Sequence, residues 1–224
     1  MGGLTVFMTG LIIKKLEGGR SAIVIGCLAV IAAPVLLAMN TIYSMNSIDI
    51  LLWTLAAFVL IKIIKESRSA HWVTLGILIG IGLLNKISMG WFAAGLVAAV
   101  IVTKQRYWLK TKWPYIAGII ALLIFMPYII WNSANDYAHL EFIRNASMYK
   151  YGGISAVDFL LGQPTMMMPL SMLIWIAGLY YFLVSRNGKI FSALGIVYIT
   201  VVIILVINGH SKPEYLSPTC CARL

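Results

Sequence analysis

Acidic side chains are scarce in this sequence: seven Asp and Glu stand against 17 Lys and Arg in 224 residues, a formal net charge of +10. Cysteine is rarer still, at three residues. Cys27 lies within an apolar run, while Cys220 and Cys221 are neighbours. Adjacent cysteines seldom form a structural bridge and no second pair completes a zinc site, so neither a disulfide framework nor a thiolate metal centre is expected. Polar stretches long enough for a soluble domain are missing too. With 61% hydrophobic residues and a mean hydropathy of +0.93, the composition lies far from the roughly 45–50% apolar content of soluble domains. No secretory signal is expected either: residues 1–13 have no basic leading region and run into Lys14 and Lys15 rather than a small-residue cleavage site. No internal repeat is visible.

What remains is a succession of apolar runs, at residues 1–13, 21–40, 49–64, 73–84, 87–103, 115–131, 165–185 and 190–208. Their lengths predict an all-α fold, a polytopic transmembrane helical bundle of seven to eight membrane segments forming a single domain over residues 1–224. The first run is short of the roughly 20 residues a crossing needs, so it is expected to be the inner half of a helix that begins before it. If successive segments cross in opposite directions, one side receives Lys14, Lys15, Arg20, Lys62, Lys65, Arg68, Lys104, Arg106, Lys110, Lys112, Arg186 and Lys189. The other receives Lys86, Arg144, Lys150, Lys212 and Arg223, together with Asp49, Asp136, Glu141, Asp158 and Glu214. The positive-inside rule assigns the richer side to the cytoplasm. The basic residues are therefore topology signals, and no nucleic-acid partner is expected; the partner is the lipid bilayer.

Short cationic turns close the cytoplasmic side, at residues 14–20, 65–71, 104–112 and 186–189. Length and polarity accumulate on the other side, in the loop 132–164 and the tail 209–224, and loops of that length in compact proteins usually carry function or are disordered. Residues 136–148 place Tyr137, Leu140, Ile143 and Ala146 at three-residue steps, which predicts a short helix lying along the membrane interface. Asp136, His139 and Glu141 would then face water, either solvating that helix or meeting an acceptor. Asn145, Ala146 and Ser147 match a glycosylation acceptor pattern that arises often by chance. Gly76 and Gly80 make a small-xxx-small face for close helix packing, and Trp53, Trp91, Trp108, Trp113, Trp131 and Trp175 fall near predicted helix ends, as an aromatic belt would.

Asn85 and Lys86 differ from the rest. Two short apolar runs meet at this pair on the outer side, and a lysine at membrane depth is costly unless it pairs, snorkels to the interface or faces a wet cavity. One reading is simple snorkelling; the sharper one is an anion-binding lysine directed at a phosphate.

The stretches 80–86 (GIGLLNK), 45–55 (MNSIDILLWTL), 140–147 (LEFIRNAS), 159–163 (FLLGQ) and 210–218 (HSKPEYLSP) resemble the bacterial dolichyl-phosphate-mannose protein mannosyltransferase-like proteins. These are C-type membrane glycosyltransferases related to family 39 and to the aminoarabinose transferases. The resemblance runs from Leu4 to Pro218 and implies a multi-pass enzyme of the bacterial inner membrane. Such an enzyme moves a sugar from a polyprenyl-phosphate carrier to a lipid, glycan or protein acceptor on the outer face. Polyprenyl-phosphate sugar is then the donor substrate, and the resemblance leaves a divalent metal undecided. It implies a lipid-phosphate contact for Lys86, Lys212 and Tyr215, a catalytic candidate in Asp49 or, as the other register, Asn46, and acceptor-side candidates in Asp136 and Glu141. The family's principal aspartate precedes everything present here, and the family continues into a further helix after Leu216, Ser217 and Pro218. The resemblance therefore implies a chain shortened at its start and at its end, without transfer activity as a lone polypeptide. The alternatives are a transporter or a carrier-lipid-binding subunit with no chemistry, either of which would be built from the same helices.

Overall fold

The computed structural model describes residues 1–146, 148, 153–209 and 211–222. Lys150, His210, Arg223 and the Ser147 of the glycosylation pattern lie outside the described residues. The described residues form eleven α-helices joined by turns and 3₁₀ segments, without strands. These are α1 (Gly2–Lys15), α2 (Arg20–Ala32), α3 (Pro34–Thr41), α4 (Met45–Glu66), α5 (Ala70–Asn85), α6 (Met89–Val102), α7 (Trp113–Ala134), α8 (Ala138–Asn145), α9 (Ala156–Met167), α10 (Pro169–Leu183) and α11 (Ser192–Asn208). Each of the eight apolar runs is centred on one of these helices or on a bent pair of them.

By length and composition three helices can cross a membrane alone: α4, α7 and the continuous stretch Gly188–Asn208 that contains α11. Two bent pairs bring the number to five, and α5 and α6 are shorter apolar helices. The bend of 61° between α2 and α3 falls at Ala33–Pro34, where the proline ring starts the new helix at its first turn. The bend of 113° between α9 and α10 falls at Met168, which has φ +69 and precedes Pro169. The protein is thus an all-α, multi-pass membrane protein.

Helix α4 is the axis of the fold. Ser44 caps its start by accepting the Asn46 N–H at 3.3 Å, and between Ile50 and Ile61 only Thr54 is polar, so the helix is buried along most of its length. α7 is equally apolar but buries only Ala117 and Ala121, leaving Ile119, Leu123 and Ile130 exposed as a lipid-facing helix would. What holds α7 against α5 is the absence of side chains. A Cβ on Gly76 would lie 2.5 Å from the Ala117 carbonyl oxygen, and one on Gly80 would lie 2.8 Å from Ile124 Cβ. The two backbones touch along the Gly76 and Gly80 stripe, the packing its spacing predicts. Gly95 does the same for α6 against α11, where a Cβ would approach Val197 Cα to 3.0 Å.

The tryptophans are not one belt. Trp53 is 3% exposed and meets Phe92 edge-on at 5.2 Å, and Trp72 packs on Trp108 at 5.6 Å. Trp53 lies two turns inside α4, where burial of its large ring stabilises the core more than an interfacial position would.

Charges gather at the two ends of α4. At its C-terminal end Lys15 meets Glu66 at 2.6 Å, Lys65 meets Glu17 at 2.6 Å, and His71 meets Glu66 at 2.7 Å, tying α1, α4 and α5 together. The Lys65 ammonium holds the Glu17 carboxyl below the ordinary carboxylate range through its hydrogen bond and its charge. Seventeen residues back, at a helical rise that makes about 25 Å, lies Asp49 with the second cluster.

Candidate functional site

Asn46 and Asp49 are three residues apart near the start of α4 and therefore share one helix face. That face meets the turn between α5 and α6. The Asn85 side-chain amide donates to the Met45 carbonyl at 2.9 Å, locking this turn to the first residue of α4. Lys86 leaves α5 in extended backbone, φ −160 and ψ 132, and caps the helix by donating its N–H to the Gly82 carbonyl at 2.8 Å. Gly82 leaves room for Met89, whose side chain would clash with a Cβ at 2.6 Å, so the chain can fold back at once into α6.

The Lys86 ammonium is thereby aimed at α4. It donates to Asn46 Oδ1 at 2.9 Å and lies 3.7 Å from Asp49 Oδ2. The Ser88 hydroxyl donates to the same Oδ2 at 2.7 Å. Asp49 is fully buried; the Trp53 indole N–H, one turn further along α4, is buried against the same carboxylate, and among the described residues neither it nor Oδ1 completes a full hydrogen bond. Lys86 keeps about a quarter of its side-chain surface, 23%, in contact with the surroundings. It is the accessible member of a cluster whose anion is enclosed.

The C-terminal segment supplies the third wall. Its 3₁₀ turns, Pro213–Ala222, bring the Tyr215 ring under the Lys86 ammonium at 5.6 Å, within cation–π range. Trp91 of α6 flanks the same ring at 6.4 Å. Lys212, in the same segment, lies 3.9 Å from Glu214. This segment is held in place by α9: the Gln163 amide donates to the Pro213 carbonyl at 3.1 Å, and Gly162 sits so close that a Cβ would meet Pro213 Cγ at 2.7 Å. The residues 159–163 and the described part of 210–218 are thus two halves of one joint.

The structure therefore brings Asp49, Asn46, Lys86 and Tyr215 together, with Lys212 in the adjoining turn. It keeps Asp136 and Glu141 apart from them. Asp136 lies in the left-handed turn that follows α7, with φ +51, and Glu141 is exposed on α8. Among the described residues neither forms an ion pair. α8 is a short helix with Leu140, Phe142 and Ile143 exposed, started by the Asn132 side chain accepting the His139 N–H at 3.1 Å.

Three participants escaped the sequence reading. Ser88 is an ordinary serine in a turn, and only its position two residues past Lys86 hinted at a role. Trp53 and Trp91 read as belt residues because the rings they pack on, Phe92 and Tyr215, are distant in sequence. The paired Asn46 and Asp49 were legible as alternatives, and both face Lys86.

No curated protein and no solved structure matches this chain. The family model described as dolichyl-phosphate-mannose-protein mannosyltransferase matches residues 1–131. The match runs from α1 through most of α7 and includes Asn46, Asp49, Lys86, Ser88 and Trp91. With more than half of its length matched, the chain belongs to the dolichyl-phosphate-mannose-protein mannosyltransferase family of membrane glycosyltransferases.

Proposed function

We propose that this protein acts on a polyprenyl-phosphate sugar at the outer face of a bacterial inner membrane, with Lys86 holding the carrier's phosphate. The observation that carries the reading is the Lys86 ammonium, presented at a helix break between Asn46, Asp49 and the Tyr215 ring. A phosphate oxygen placed on this lysine takes the position that suits an anion, and its charge would be shared with Lys212 from the neighbouring turn. Transfer makes the bond between an acceptor oxygen and the sugar's anomeric carbon and breaks the bond from that carbon to the phosphate. Polyprenyl phosphate departs with the bonding electrons, and the acceptor's proton passes to a carboxylate.

Within that scheme Asp49 serves as a positioning residue. Its carboxylate is enclosed, engaged by Ser88 and Lys86, and orients the ammonium rather than reaching an acceptor. Asp136 and Glu141, exposed within the long outer loop 132–164, are the acceptor-side groups. The sidedness follows from the charge distribution: the Asp49 and Lys86 end of the bundle is outer and the Lys15, Lys65 and Glu66 end cytoplasmic. The enclosure of Asp49 also favours a second reading, a carrier-binding protein that performs no transfer.

Binding of polyprenyl phosphate to the purified protein tests the site. Lys86→Ala should weaken it roughly 10- to 100-fold, the loss of one charge-assisted contact; unchanged binding would remove the assignment. Transfer of label from a radiolabelled polyprenyl-phosphate sugar then separates the two readings. Product above background supports the transferase, and carrier binding without product supports the binding protein.

A further inference from the structure

A cavity of about 420 Å³ between α5, α6 and α7 has no part in the site above. Its volume falls within the roughly 300–1,000 Å³ typical of ligand pockets, and its walls are apolar. Trp72 and Leu83 mark its ends on α5, eleven residues apart, or about 16 Å along the helix. That is close to half the ~30 Å hydrocarbon core of a bilayer, the depth of one leaflet. The groove opens sideways: Val97 and Ile101 on its α6 wall are 59% and 55% exposed, and a Cβ on Gly118 of α7 would meet nothing within 4 Å.

One end of the groove is strongly basic. Leu109, from the 3₁₀ turn Lys104–Lys110, forms part of the wall, and Lys104, Arg106, Lys110 and Lys112 are all exposed around it. None of the four forms an ion pair among the described residues. The reason is compositional, because the chain contains no Asp or Glu between Glu66 and Asp136. A one-leaflet apolar slot thus ends in four cations without a carboxylate partner among the described residues, Lys112 lying over the Trp113 ring at 5.5 Å. The other end of the slot lies towards Lys86, but that ammonium is directed to α4 and Tyr215.

We propose that this groove binds an anionic phospholipid, one acyl chain lying between α6 and α7 and the phosphate seated among Lys104, Arg106, Lys110 and Lys112. A neutral lipid would fill the same slot without engaging the cations. A polyprenyl carrier held at Lys86 would place its phosphate at the opposite end.

Native mass spectrometry of the delipidated protein, titrated separately with phosphatidylglycerol, phosphatidylcholine of the same chains and polyprenyl phosphate, tests this. Phosphatidylglycerol should bind more tightly than phosphatidylcholine. The pair Lys110→Ala and Lys112→Ala should weaken phosphatidylglycerol about thirtyfold, five- to sixfold for each cation, and leave phosphatidylcholine unchanged. Gly118→Phe should abolish both, while Gly118→Ala and Lys86→Ala leave phosphatidylglycerol in place. Val97→Trp, blocking the groove from α6, replaces Gly118→Phe if that variant loses its helical circular dichroism. Equal binding of the two phospholipids, or phosphatidylglycerol retained in the blocked groove, would overturn the proposal. So would displacement of phosphatidylglycerol by polyprenyl phosphate in a manner that Lys86→Ala abolishes.

Discussion

At the scale of single residues, the contrast between Asp49 and Lys86 controls the site. A buried carboxylate needs compensation, and Asp49 finds it in the Ser88 hydroxyl and the Lys86 ammonium. Asp49→Asn removes the charge but keeps the shape, so it should destabilise the protein by about 1–3 kcal/mol in detergent, read as a fall in Tm. Combining it with Lys86→Met removes the orphaned cation, and the double variant should recover part of the loss. Strict additivity of the two changes would mean that the pair does not interact. The ion pair at the other end behaves differently. Lys65 keeps Glu17 ionised below its usual range, so whatever stability the pair contributes is present at neutral pH and is lost as pH falls through the lowered value. Because Glu17 is 81% exposed, Glu17→Gln should leave the Tm at pH 7 almost unchanged; a drop of several degrees would show the link to be structural.

At the scale of elements, glycine decides which helices touch. α5 and α7 share no ionic contact among the described residues, and their attachment rests on backbone proximity at Gly76 and Gly80. Gly76→Val should push α7 away from α5 at Ala117 and cost roughly 1–3 kcal/mol or more, the range for overpacking a tight contact. Protease accessibility of the 104–112 turn would report the separation. Gly118→Ala, next to Ala117 in sequence but facing open space, should be neutral or slightly stabilising, since alanine is the better helix former. If both substitutions behaved alike, close packing would not be the reason for the Gly76 and Gly80 stripe.

At the scale of the whole molecule, the charge asymmetry and the fold describe the same two ends. Lysines 15, 65 and 86 are separated along α4 and its neighbours so that the first two join the acidic pairs at one end and the third joins Asp49 at the other. In a chain whose own cysteines are replaced by serine, Asn135→Cys should react with an impermeant maleimide in intact cells. Arg68→Cys should react only after permeabilisation. The reverse pattern would invert the assigned orientation and move the proposed site to the cytoplasmic face.

The amino-acid sequence by itself determined the class of fold and its membrane character. Long continuous apolar runs satisfy their backbones in lipid as helices, since a closed barrel would need short strands of alternating hydrophobicity. It also disclosed Gly76 and Gly80 as a contact face, because a four-residue spacing aligns side chains on one side of a helix. The individual site residues were visible as polar exceptions in apolar surroundings. Their grouping was not, since Asn46, Lys86 and Tyr215 are far apart in the chain and local pattern carries no information about which helix ends meet. Only the tertiary structure decided that Ser88 caps Asp49, that Trp53 belongs to the core, and that α9 clamps the segment bearing Tyr215. It alone showed the slot between α6 and α7, which arises where small side chains on α7 leave space that no neighbouring helix fills.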